Sequence, residues 1–226
     1  MKFIKTFIVC LFLSACGQTP PAPQEQPPEA IYVLIENGGT VTEEEREDAM
    51  DTALQLLQQI TTLARRKATR KAQVHIVLSA SPNRIAWSGT PGQLLEQAQD
   101  VKNLIVFKPS FSDLVMAFEQ IETTLKLSRD QPVRLYWIGS TVHVPFQKTD
   151  EEIEVKVPQP VPAGLALAHF AERLSVLKIM RVHPDQDQVL QDYLLSIGVL
   201  ERSYTGELDF ALLGEAQTRS QLRALL

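Results

Sequence analysis

The chain has 226 residues, with 27 acidic against 22 basic side chains, 44% apolar content and only two cysteines. An excess of negative charge disfavours nucleic-acid binding, which depends on neutralising phosphates. Both cysteines, Cys10 and Cys16, lie near the start, so the rest of the chain holds none for a disulfide, a zinc cluster or a thiol nucleophile, and its stability has to come from an apolar core.

Lys2 and Lys5 flank the beginning of a short apolar stretch ending in "TFIVCLFLSA", too short for a permanent bilayer-spanning helix and laid out as a signal peptide. Leu13, Ser14, Ala15 and Cys16 resemble the lipobox of bacterial lipoproteins, in which small residues fit the signal peptidase and the cysteine sulfur receives a diacylglycerol. The resemblance implies a signal peptide over residues 1–15, lipidation at Cys16 and a mature protein that sits on a membrane without crossing it. Acyl chains such as palmitate contribute about 0.8 kcal/mol per buried CH₂, and stable anchoring takes more than one of them. Residue 17 is Gly, where enteric-type lipoproteins carry Asp as an inner-membrane retention signal, so the resemblance further implies the outer membrane, with the domain facing the periplasm. Residues 16–30 contain five prolines and little to bury, which predicts an extended linker rising roughly 3.1 Å per residue. Without Lys2 and Lys5, 20 basic residues stand against 27 acidic ones, a net charge of −7.

The remaining chain is long enough for one sizeable core. "AIYVLIE" is apolar on both alternations, which predicts a central strand covered on both faces. After the turn "NGGT", Thr42 and Glu45 have capping-box spacing, and Met50, Ala53, Leu54, Leu57, Ile60, Leu63 and Ala64 recur at helical spacing up to "RRKATRK". "AQVHIVLSASPNRIAWSG" reads as a hairpin supplying an antiparallel edge, "PGQLLEQAQDV" as a helix and "NLIVFK" as a short strand or extended link. A second long amphipathic helix is expected from Ser110 or Ser112, then the buried strand "PVRLYWIGS". "TVHVPFQKTDEEIEVKVP" reads as a further β-hairpin over residues 141–157. "LALAHFAERL" reads as a helix, "VLKIMRVHP" as a strand, and "DQDQVLQDYLLSIG" as a helix ending at Gly198. Strands alternating with helices predict an α/β fold, a three-layer αβα sandwich on a mostly parallel sheet with an antiparallel edge strand. Residues 199–226 read as a C-terminal extension packed on that domain.

This order of elements resembles the von Willebrand factor A domain, over residues 31–198. In that family a divalent metal sits at the strand tops, held by a D-x-S-x-S turn, a threonine from a later loop and an aspartate ending the fourth strand. Carried over, Glu36, Gly38 and Thr40 stand where Asp, Ser and Ser would be, Ser112 matches the loop threonine, and Gly139 occupies the place of the strand-end aspartate. Two positions lose their oxygen and a third carboxylate is one methylene longer. Magnesium demands a near-ideal octahedron, so the expectation is no metal cofactor, or at most a degenerate Mg²⁺ site at Glu36, Thr40 and Ser112.

Other chemistry finds less support. Glu36, Glu43, Glu44 and Glu45 crowd the start of the first helix and would repel a phosphate, and no G-x-G-x-x-G or P-loop lysine is present. His75, His143, His169 and His183 fall on separate elements without ligand spacing, no G-x-S-x-G elbow occurs, and the acidic group Asp150, Glu151, Glu152 and Glu154 reads as a solvated turn. Trp87 and Trp137 sit in strands and read as core residues, with a partner-facing place as the alternative for either. No catalytic constellation emerges. The reading is a non-enzymatic, membrane-anchored module binding another cell-envelope protein, such as part of a secretion or conjugation apparatus. The alternative is a metal-dependent adhesion domain or an envelope hydrolase around Glu36 and Ser112.

Overall fold

The computed structural model describes residues 28–108, 112–128, 131–143 and 157–225. The expected signal peptide, Cys16, most of the expected linker and residues 144–156 of the expected second hairpin lie outside the described residues.

Ala30–Ile35, all six buried, form β1, which pairs in parallel with β2 (Gln73–Leu78) on one side and β4 (Val133–Ile138) on the other. β3 (Ile85–Gly89) runs antiparallel to β2, as the hairpin reading predicts. β5 (Leu174–Val182) continues the sheet in parallel beyond β4. The sixth strand, β6 (Asp209–Gly214), comes from the residues expected to extend beyond the domain, and it pairs in parallel with β5. The order is β3-β2-β1-β4-β5-β6, so the sheet reverses its winding between β1 and β4, the place where open α/β sheets form a crevice.

Two apolar clusters, one on each face, make this a three-layer sandwich. On one face α1 (Arg46–Thr62) buries Ala49, Thr52, Ala53, Leu56, Leu57 and Ile60, a stripe at 3.6-residue spacing, beside α2 (Pro91–Glu96) and α3 (Ala98–Leu104). On the other, α4 (Leu114–Leu127) sets Phe118 edge-on against Trp137, and α5 (Leu167–Phe170), α6 (Asp187–Ser196) and α7 (Val199–Tyr204) complete the layer. α8 (Glu215–Gln221) follows β6 and returns to the α1 side, where the Gln59 amide donates to Leu222 O at 2.7 Å.

Several boundaries differ from expectation for local reasons. Glu45 Oε2 accepts the Thr42 N–H at 3.0 Å and its hydroxyl at 2.9 Å, so the pair meets, but it closes a turn and the helix begins only at Arg46. The basic run falls past α1, in a 3₁₀ turn and the residues after it. α2 and α3 are separated at Gln97. "LIVFK" supplies no strand: its first residue ends α3, and residues 105–108 are an extended link. The cap of α4 is neither Ser110 nor Ser112 but Asp113, whose carboxylate accepts the Met116 N–H at 2.9 Å. "LALAHFAERL" makes one α-helical turn and one 3₁₀ turn, because β5 already starts at Leu174. Gly198 does end α6, with φ +76° and its N–H on Leu195 O.

Candidate functional site

The crevice at the switch point is filled by a side chain of the protein itself. β1 delivers Glu36 just past its C-terminal end, 1% exposed, where the N–H of Glu36 still bonds Ile138 O across the sheet. Its carboxyl is ringed by donors: Trp137 Nε1 at 2.6 Å and Thr141 N at 3.1 Å on Oε1, Ser140 Oγ at 3.2 Å and Thr40 Oγ1 at 3.5 Å on Oε2. Burial pushes the Glu36 carboxyl up to about 7, against the lowering effect of these hydrogen bonds.

Gly139 is what makes room. A Cβ there would stand 2.3 Å from the Glu36 carboxyl carbon, so the position the resemblance assigns to an aspartate has to be glycine while Glu36 lies across it. The next turn is held in an unusual shape, with Thr141 at φ +61° aiming its N–H at Glu36 while its hydroxyl bonds Ser140 O. A cation at Oε1 would have to displace two fixed N–H donors, which cannot coordinate it, and Gly38 and Gly139 add no side-chain oxygen to the Thr40 and Ser140 hydroxyls. The donor set suits a carboxyl held by hydrogen bonds and does not suit an octahedral magnesium ion.

Of the candidates from the sequence, Thr40 donates to Glu36, while Ser112 makes no hydrogen bond to either among the described residues. Ser112 is 1% exposed, and its hydroxyl has no hydrogen-bond partner among the described residues. His143 Nδ1 is likewise buried and unpartnered, with the Asp113 charge near enough to act on it; burial lowers its pKa and Asp113 opposes that. The remaining histidines have structural places: His75 stacks on Tyr32 and bonds Ser88, His169 lies 3.3 Å from Glu122, and His183 accepts the Asp185 N–H. Among the described residues no group of three His, Cys, Asp or Glu is placed to share a metal. Asn37 does the neighbouring work of joining strand tops, since its N–H donates to Ser79 Oγ, its Oδ1 accepts the Ala80 N–H and its amide donates to Val106 O.

Sequence reasoning missed Trp137, Ser140 and Thr141 as partners of Glu36. The only signal was "YWIGS", a tryptophan and a glycine at a strand end, and it reads equally well as core packing.

No family model matches the chain, and no curated protein resembles it in sequence. Solved structures do resemble it in fold. The PilB minor pilin from Streptococcus sanguinis superposes with a TM-score of 0.52 at 8% identity, over 90% of this chain and 61% of that one. The pilus adhesin SpaC from Lactobacillus rhamnosus GG superposes with a TM-score of 0.55 at 11% identity, over 88% of this chain and 30% of that one. The chain thus spans about three fifths and less than a third of those proteins, and at such identities the likeness is one of fold alone.

Proposed function

We propose that this protein is a non-catalytic protein-binding or assembly module of the bacterial cell envelope, built on a von Willebrand A-like domain that works without a metal. The observation that carries the reading is the ring of donors around Glu36: the place where a ligand would enter is occupied by the protein's own carboxyl, tied to β1, β4 and the turn after each. The fold it shares with a minor pilin and a pilus adhesin is compatible with such a role. Lipidation at Cys16, outer-membrane attachment and a periplasmic face complete the proposal, on the strength of "LSAC" and the proline-rich linker.

A second reading is kept by one observation. The unpartnered, buried Ser112 hydroxyl and His143 Nδ1 near the mouth of the sheet are polar groups that a metal-dependent adhesion domain or a hydrolase could use. Calorimetric titration of the purified chain with magnesium, manganese and calcium decides between them. The proposed module gives no saturable heat. Tight binding abolished by Glu36→Ala or Ser112→Ala replaces it with the metal-dependent reading.

A further inference from the structure

The two edges of the sheet are unlike. At β3 the pairing register breaks between Ile76 and Val77, a local irregularity of the kind that discourages further strand addition. There the extra residue, Ala86, lies in the edge strand itself, whereas the register break beside β6, between Met180 and Val182, places its extra residue, Arg181, in β5 and leaves β6 without a bulge of its own. Its six residues, "DFALLG", include no lysine, arginine or proline, and the one charge, Asp209, is turned to the buried Lys178 of β5. The end of β6 is already engaged by α8, with the Gln217 side chain on the Gly214 N–H at 3.0 Å and the Thr218 hydroxyl on Leu213 O at 3.4 Å and Gly214 O at 2.8 Å, while among the described residues no side chain bonds the backbone of residues 209–212.

This edge lies at the bottom of a groove of about 450 Å³, whose walls come from both helix layers. Leu200, Ser203 and Tyr204 of α7 stand on one side and Gln217 of α8 on the other, with residues 210–213 of β6 between them. Phe210 and Leu212 are half-buried toward the α6–α7 layer and Ala211 toward the α8 layer, so both faces of the strand leave apolar surface beside the open edge. Tyr204, 85% exposed, stands at the rim. Helix residues flank the edge on both sides, and the space between them is of a size for a single extended segment.

The charge of the wall describes that segment further. Over α6 and α7, Asp187, Asp192 and Glu201 are opposed by Arg202 alone, whose guanidinium is turned inward to Ala171 O and Leu174 O. Asp187 lines the groove and its only hydrogen-bond partner among the described residues is Gln191.

We propose that β6 binds an extended segment of a partner protein by strand addition, the segment carrying apolar residues at alternate positions and at least one lysine or arginine facing Asp187. Backbone hydrogen bonds to β6 supply affinity, and side chains packed beside Phe210 and Leu212 supply selectivity. The inference rests on the protein-binding reading above and gives it a surface and a partner chemistry.

A phage library of random ten-residue peptides panned on the full chain provides the probe. Strand addition predicts enriched peptides with alternating apolar residues and basic ends, whose binding is lost with Phe210→Lys and unchanged with Leu95→Lys on the far helix layer. Because Phe210→Lys can also disturb the core, the deciding measurement uses the unaltered protein and N-methylates the best peptide one amide at a time. Removing an edge-facing donor costs about tenfold in affinity, so the loss should recur at every second residue. A flat scan, a three-to-four-residue period, or no enriched peptide overturns strand addition. Failure of the protein-binding reading shows separately, as saturable metal binding that depends on Glu36.

Discussion

Glu36 holds a carboxyl in the interior with four neutral donors and no cation, which fixes how its contribution to stability changes with pH. Its folded-state pKa of about 7 lies above the ordinary carboxylate value of 4.5, so between those values the folded state holds a proton that the unfolded state has released. Stability from this group is therefore complete below about pH 4.5 and falls as pH rises through 7, by about 3 kcal/mol in all. Glu36→Gln keeps the shape, leaves an oxygen for Trp137 and Thr141, and offers its amide to hydroxyls that can turn to accept. Urea unfolding at pH 5 and pH 8 should show this slope in the unaltered protein and its loss in Glu36→Gln; equal slopes in the two would mean that Glu36 stays ionised. Little of this network was legible in the sequence. Glu36 and Trp137 are 101 positions apart, and their pairing depends on the register of β1 against β4, which no local pattern encodes.

Whole elements were easier to read where their cause is local. β1 is apolar at every position because it is covered on both faces, α1 repeats its buried stripe from Ala49 to Ile60, about three turns, and Gly198 stops α6 by adopting a left-handed conformation. β6 was not legible: "DFALLG" is short, and what makes it a strand is pairing with β5 rather than its own pattern. Its place in the sheet changes what truncation should do. Deleting residues 199–226 removes Val199, Leu208, Leu213, Leu222 and Leu225 from the two cores, so the shortened chain should show no cooperative thermal transition; a native-like transition would mean that the sixth strand is dispensable. A second device joins the elements on the α1 side. Asp48 at the start of α1 accepts from Arg181 at the end of β5 and from Arg219 in α8. Burial alone would raise the Asp48 pKa, but the Arg219 hydrogen bond and the Arg181 charge override it and lower it, so this contribution is present above the normal aspartate pKa and lost as pH falls below it. Asp48→Ala leaves the buried Arg181 guanidinium without its carboxylate and should cost about 3 kcal/mol in denaturant unfolding, whereas Arg219→Ala, at the exposed end of the network, should cost clearly less. Equal losses would place the weight of the network at the surface.

At the scale of the molecule, the proposed function would set an acidic α/β domain on a proline-rich tether and a lipid anchor at Cys16, to recruit partners at a membrane surface. The fold class was legible because strand and helix patterns alternate along the chain, and the three-layer sandwich with its antiparallel edge follows from them. The anchor makes a simple prediction: Cys16→Ser should move the protein from the membrane to the soluble fraction, and unchanged membrane retention contradicts lipidation at that residue. The central claim is that the mouth of the sheet is closed by hydrogen bonds to Glu36 and takes no metal. Its most direct test is a carbon-13 NMR titration of the Glu36 carboxyl in the intact protein, with and without 1,000-fold excess magnesium over roughly micromolar protein. A mouth closed by these hydrogen bonds gives a pKa near 7 that magnesium leaves in place. A carboxylate already ionised at pH 5, or a pKa that magnesium drives down, contradicts it.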